Sequence, residues 1–176
     1  MNFKFKKMKY LKLILVFGFA IAISLSSSAQ GAKYIGANGC KMCHNKPEKG
    51  AQHAQWLKTS HSQAYAKLDD AGKKNADCLK CHSTAGSVDK SLLASIKVEE
   101  GVSCESCHGP GSAYKTAAIM KDKAQSLAKG MIEPTEATCK ACHLGKKPEG
   151  HAEAKKPWNF AEFKKVISHP DPTIKK

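Results

Sequence analysis

Hydrophobic positions fall into two regimes along this chain. Lys4, Lys6, Lys7, Lys9 and Lys12 lead into a mostly apolar run of 13 residues, Leu13 to Leu25, which closes on Ser27-Ser28-Ala29. A basic start, an apolar centre and a small-residue end predict a secretory signal peptide cut after Ala29. The run is shorter than the roughly 20 apolar residues that a membrane-spanning helix requires. Residues 1–29 are therefore expected to be a leader, and residues 30–176 an exported, soluble domain. Beyond the leader, apolar positions recur near the helical period. Ala51 to Leu68 predicts one helix through Trp56, Leu57, Ala64 and Leu68, and Ser91 to Glu99 a shorter one. Ser112 to Lys129 predicts a second long helix through Ala113, Ala117, Met120, Ala124 and Leu127, with Gly130 as its stop. Asn159 to His169 opens on a capping box, Asn159 with Glu162, and Pro170 ends it. Lys33 to Cys40 reads as an irregular lead-in, Asp69 to Asn75 as a link, and Gly101 to Gly111 as a tight loop. No strand-like alternation is present. The expected fold class is mainly α, with helices and loops and little or no β.

Composition changes this picture in one respect. After the leader, the large aromatic side chains are only Phe160, Phe163, Trp56, Trp158, Tyr34, Tyr65 and Tyr114. A domain so poor in large side chains buries little apolar surface and needs a metal, disulfides or a cofactor to hold together. The formal charge of +14 drops to +9 once the leader's five lysines are set aside. Every basic residue is Lys, and Arg, which makes the bidentate contacts to phosphates and bases, is absent. The lysines are also spread out rather than blocked, so nucleic acid is not an expected partner.

The eight cysteines supply the missing core. They fall in four units of one form: Cys40-Lys-Met-Cys43-His44, Cys78-Leu-Lys-Cys81-His82, Cys104-Glu-Ser-Cys107-His108 and Cys139-Lys-Ala-Cys142-His143. Cys-x-x-Cys-His is the attachment signature of c-type haem. Two thiols three residues apart on one turn each add to a vinyl group of the same porphyrin. The histidine that follows becomes the proximal iron ligand. Zinc sites or disulfides would use the cysteines but leave unexplained why His follows each pair. The expected cofactors are four haem c groups with their iron, forming most of the core. Net positive charge, modulated by the propionates and by iron oxidation, suits redox partner proteins with acidic docking surfaces.

Outside the signatures lie His53, His61, His151 and His169, four histidines for four distal positions. Histidine on both faces gives low-potential, low-spin iron, methionine raises the potential, and a vacant face can bind a small ligand. Three segments resemble the cytochrome c-554 family of multihaem cytochromes. They are Trp56-Leu-Lys-Thr-Ser-His61, the third signature with its Gly-Pro-Gly (GVSCESCHGPG), and Cys139-Lys-Ala-Cys142-His143-Leu144. The Phe-rich C-terminal helix from Phe160 to His169 adds to them, and the resemblance covers nearly all of the mature chain. It implies a mainly helical tetrahaem electron carrier of the periplasm with closely packed haem pairs. It also implies His61 as distal ligand of the fourth haem and His169 as that of the third, with an open far face on the second, at Cys78 and Cys81. This chain departs from the family where a His is expected after Gly-Pro-Gly; Met120 is the candidate replacement as ligand of the first haem. His53 and His151 occupy no family ligand position. Two functions compete with plain electron transfer: a small reductase of nitric oxide or nitrite type at an open haem, and a wire segment that polymerises through haem edges. Sequence does not set the oligomeric state.

Overall fold

The computed structural model describes residues 31–172; the leader and its cleavage site lie outside them. Nine short α-helices run in chain order among the described residues. They are α1 (Ala37–His44), α2 (Gln52–Leu57), α3 (Ala76–His82), α4 (Thr84–Ser87), α5 (Cys104–His108), α6 (Ala117–Met120), α7 (Lys123–Ala128), α8 (Glu136–His143) and α9 (Phe160–Ile167). Single 3-10 turns join several of them. The sole β feature among the described residues is one isolated parallel bridge, Tyr34 to Leu93. The fold is mainly helical, as expected, and no described helix is long and apolar enough to cross a membrane.

Both long helices predicted from periodicity are broken, for a local reason in each case. The one expected over 51–68 stops at Leu57, because hydroxyls take up the carbonyls that a continuing helix would use. Thr59 Oγ1 donates to Trp56 O at 2.7 Å, and Ser62 Oγ donates to Leu57 O at 3.0 Å. The one expected over 112–129 splits at Asp122. That residue leaves helical geometry at φ −118° and ψ 107°, and its carboxylate accepts from Gln125 N at 3.0 Å. An Asp that caps a helix cannot also be interior to one. Gly130 does end α7, at φ +95°, with Gly130 N bonded to Leu127 O and Met131 N to Ser126 O. The short helix expected over 91–99 is replaced by two 3-10 turns, Lys90–Leu92 and Val98–Glu100. Only α9 follows its sequence pattern closely: Asn159 caps it by accepting from Glu162 N at 3.3 Å.

The apolar interior is small. Among the described residues the buried hydrophobic side chains are Ile35, Ala37, Ala64, Ala85, Ile96 and Tyr114. Polar groups do much of the tethering. Glu105, 2% exposed, receives Ile35 N on both oxygens at 3.0 Å, Gly36 N at 2.8 Å and Gly111 N at 2.6 Å. Glu100 receives Ala37 N at 2.8 Å. The lead-in segment and the Gly-Pro-Gly loop are thus gathered onto one carboxylate inside the third signature. Gly36 is required here: its φ is +79°, and a Cβ would lie 2.6 Å from Glu100 Oε1. A buried hydroxyl cluster adds to this, with Thr84 Oγ1 accepting from Ser103 N at 2.8 Å and lying 2.5 Å from Ser106 Oγ.

Removing the Glu105 carboxylate strands three buried amides, and hydrogen bonds to a charged acceptor are each worth about 1.5–3 kcal/mol. Glu105→Ala is expected to lower the stability of the cofactor-loaded protein by about 3 kcal/mol or more. Denaturant unfolding at equal haem content checks this; a midpoint unchanged from the parent would contradict it.

Candidate haem-binding site

Each signature occupies a short helix that ends on its histidine: α1 on His44, α3 on His82, α5 on His108 and α8 on His143. Helical spacing explains why the motif folds this way. Positions i, i+3 and i+4 share one face, so both thiols and the imidazole emerge on the same side of a single turn. Local capping sets where two of the helices begin: Asn75 Oδ1 accepts from Asp77 N at 2.8 Å ahead of α3, and Thr135 N donates to Thr138 Oγ1 at 3.2 Å ahead of α8.

Burial of the thiols shows which signatures adjoin. Hydrogen bonding to Cys104 and burial hold the Cys40 thiol well above its ordinary value, and Cys104 is lowered in return. Burial, then the neighbouring Cys139, pushes Cys107 up to about 11. Burial, then the neighbouring Cys81, pushes Cys142 up to about 12. Thiols of the first and third signatures, of the third and fourth, and of the fourth and second are therefore neighbours, an order that differs from that in sequence. No disulfide links any cysteine.

Histidines from remote segments face three of the four signature histidines. His61 stands 6.0 Å from His143, His151 stands 6.1 Å from His82, and His169 stands 6.2 Å from His108, measured between ring centroids. These separations agree within 0.2 Å and exceed those of the other paired rings, which run from 5.2 to 5.7 Å. Two nitrogen–metal bonds of about 2 Å each, between rings whose nitrogens lie about 1 Å from their centres, require roughly 6 Å. The pairs thus have the span of an imidazole–iron–imidazole unit.

The tautomers fit as well. His82 Nδ1 bonds Ala64 O at 2.8 Å, His108 Nδ1 bonds Ile132 O at 3.2 Å, and His169 Nδ1 bonds Ile167 O at 2.8 Å. A carbonyl only accepts, so each Nδ1 carries a hydrogen, and Nε2 is the nitrogen that the neutral ring offers to a metal. Burial holds His61, His108 and His143 below the ordinary imidazole value, which favours the neutral, ligating form. The residues present fit covalently bound haem at these positions.

Neighbouring elements fix the rings. Val102 N donates to His61 O at 2.9 Å, and Gly101, at φ +67°, packs so tightly that a Cβ would lie 2.7 Å from that same carbonyl oxygen. Trp56 Nε1 donates to Val102 O at 2.9 Å, tying the Trp-x4-His segment to the third signature. His143 is flanked by Trp158 at 5.5 Å and Phe163 at 5.7 Å, and Trp158 Nε1 donates to Glu136 Oε1 at 2.9 Å.

The first signature differs from the other three. All eight histidines lie among the described residues, and no imidazole there faces His44. His53 is buried with its ring 5.4 Å from Trp56 and its Nδ1 without a partner. It lines a cavity of about 480 Å³ beside α1 with Lys41, Trp56 and Glu100. Met120 is half-buried at the end of α6, its Sδ 4.0 Å from Ser126 Oγ. Sequence reasoning gave no role to Glu105 or His151. Glu105 stands at a variable position of its signature, where the other three units carry Lys41, Leu79 and Lys140, and His151 carried no pattern.

Comparison with known proteins agrees with this geometry. A family model described as cytochrome c554 and c-prime matches residues 39–109, which include the first three signatures. Cytochrome c-554 of Nitrosomonas europaea is 29% identical over 161 aligned residues, covering 75% of this chain. The aligned region spans 66% of that relative's own length. No solved structure matches the chain. Attachment helices, facing imidazoles and both matches agree in likening this chain to the cytochrome c-554 family.

Proposed function

We propose that this protein is an exported electron carrier that holds four haem c groups, one on each of Cys40/Cys43, Cys78/Cys81, Cys104/Cys107 and Cys139/Cys142. The observation that carries the reading is the set of signature helices, each closing on a histidine, with remote imidazoles at the span of an axial pair. His44, His82, His108 and His143 are the proximal ligands. His61 serves the fourth haem and His169 the third. Bound haem supplies reversible one-electron chemistry at iron. The chain's own part is to fix the rings, keep Nε2 free by tying Nδ1 to carbonyls, and set the attachment points side by side. Adjoining thiols of the first and third signatures, and of the fourth and second, favour closely spaced groups, between which electrons pass over short distances.

The reductase alternative needs an iron with a free or displaceable sixth position. The first signature is the place for it, since His44 faces no imidazole. Met120 closing that position and the position standing open are separated by carbon monoxide. Carbon monoxide binding to the reduced protein that increases by one equivalent in Met120→Ala identifies Met120 as the ligand; equal binding in parent and variant means the position is open already.

His61→Ala and His169→Ala are each expected to convert one low-spin haem to high spin with the haem content unchanged. Electron paramagnetic resonance of the oxidised variants reads this; parent spectra in both would remove these residues as ligands. The carrier reading also makes a kinetic claim. Lysines dominate the charge, so electron transfer to an acidic partner protein is expected to slow several-fold between low and physiological ionic strength. Stopped-flow mixing checks it, and a rate that ignores salt would remove the acidic partner from the account.

A further inference from the structure

We infer that His151 is the second axial ligand of the iron held at Cys78, Cys81 and His82, so the second haem is closed on both faces. The inference rests on the four-haem reading and departs from the open second haem that the family resemblance implies. Three observations support it.

The first is distance. The His151 ring stands 6.1 Å from that of His82, within the 6.0–6.2 Å of the other two facing pairs. The second is the state of both rings. His82 Nδ1 donates to Ala64 O at 2.8 Å, and His151 Nδ1 donates to Ala152 O at 2.7 Å. With both Nδ1 atoms committed to carbonyls, Nε2 is the nitrogen that each neutral ring offers to a metal, the tautomer that a bis-imidazole iron requires.

The third is the segment that carries His151. It lies outside any helix, between α8 and α9, and it is exposed. Nothing in apolar burial explains why this ring should face His82. Instead the loop is folded to present it. His151 N donates to Pro148 O at 3.2 Å, Gly150 turns at φ +77°, and Lys147 Nζ lies 3.6 Å from Glu153 Oε2 across the base. An exposed side chain held in this way over a signature histidine, in a tautomer prepared for a metal, reads as a ligand strap.

The assignment has a consequence for small-ligand chemistry. With His61, His151 and His169 each serving one iron, three of the four are closed by imidazole. Any binding of a diatomic or nitrite is then confined to the first signature, and the second is not a catalytic site.

The test begins with the intact, unmutated protein. Near-infrared magnetic circular dichroism of the oxidised form counts irons with two imidazole ligands, and mass spectrometry counts haems on the same sample. Three bis-imidazole irons among four haems are expected. Two among four would overturn the inference while leaving the four-haem reading intact; fewer than four haems would instead contradict that reading. In His151→Ala the count is expected to fall from three to two, one haem becomes high-spin, and carbon monoxide uptake rises by one equivalent. Added imidazole should restore the low-spin signal, a rescue that a purely structural role would not show. An unchanged spectrum in His151→Ala would overturn the assignment. Should that variant lose a haem, the count on the unmutated protein decides.

Discussion

A single helical turn that presents two thiols and an imidazole on one side is the constraint to which the rest of this molecule answers. The Cys-x-x-Cys-His turn occurs four times, and each time the helix ends as soon as the histidine has been placed. Little side-chain interior is left for the protein to organise by itself: among the described residues, three of the six buried hydrophobic side chains are alanines. Conformational entropy opposes ordering at about 1–2 kcal/mol per residue, and so small an apolar core does not offset it. In the proposed four-haem reading, a large apolar macrocycle attached at each turn would supply the missing interior and let such short helices be stable parts of a fold.

Between the attachment turns, polar groups replace hydrophobic packing as the means of fixing geometry. Glu105 sits inside the third signature and collects amides from the lead-in and from Gly111, so the first and third attachment turns are held together by one carboxylate. Trp56 and Gly101 fix the His61 segment against the residues just before that same signature. The third signature is thus the hub of the described structure. Its adjacent thiols reach Cys40 on one side and Cys139 on the other.

The chemistry was more legible in sequence than the path of the backbone. The signatures name their own cofactor, because covalent attachment demands fixed residue types at fixed spacing. Fixed spacing also placed the helix at Asn159 correctly, since a cap is a local interaction. The long helices failed because periodicity records which residues are apolar and not what Thr59, Ser62 and Asp122 do with backbone carbonyls and amides. The segment 112–129 was read as one apolar stripe, whereas its Asp starts a new helix. His151 is one of the four spare histidines, but nothing in the sequence matches it to an iron. A ligand on an irregular loop has no period, and only the folded path of residues 145–158 brings it to His82. His44 was expected to lack a family histidine opposite it, and among the described residues none faces it.

The central claim is that every cysteine is consumed by haem attachment and that four haems make the core. The most direct measurement is the intact mass of the purified protein together with a thiol titration under denaturing conditions. Four haem masses added to the polypeptide and no free thiol are the expected result. Fewer than four haem masses, disulfides among the eight cysteines, or bound zinc in place of haem would contradict it.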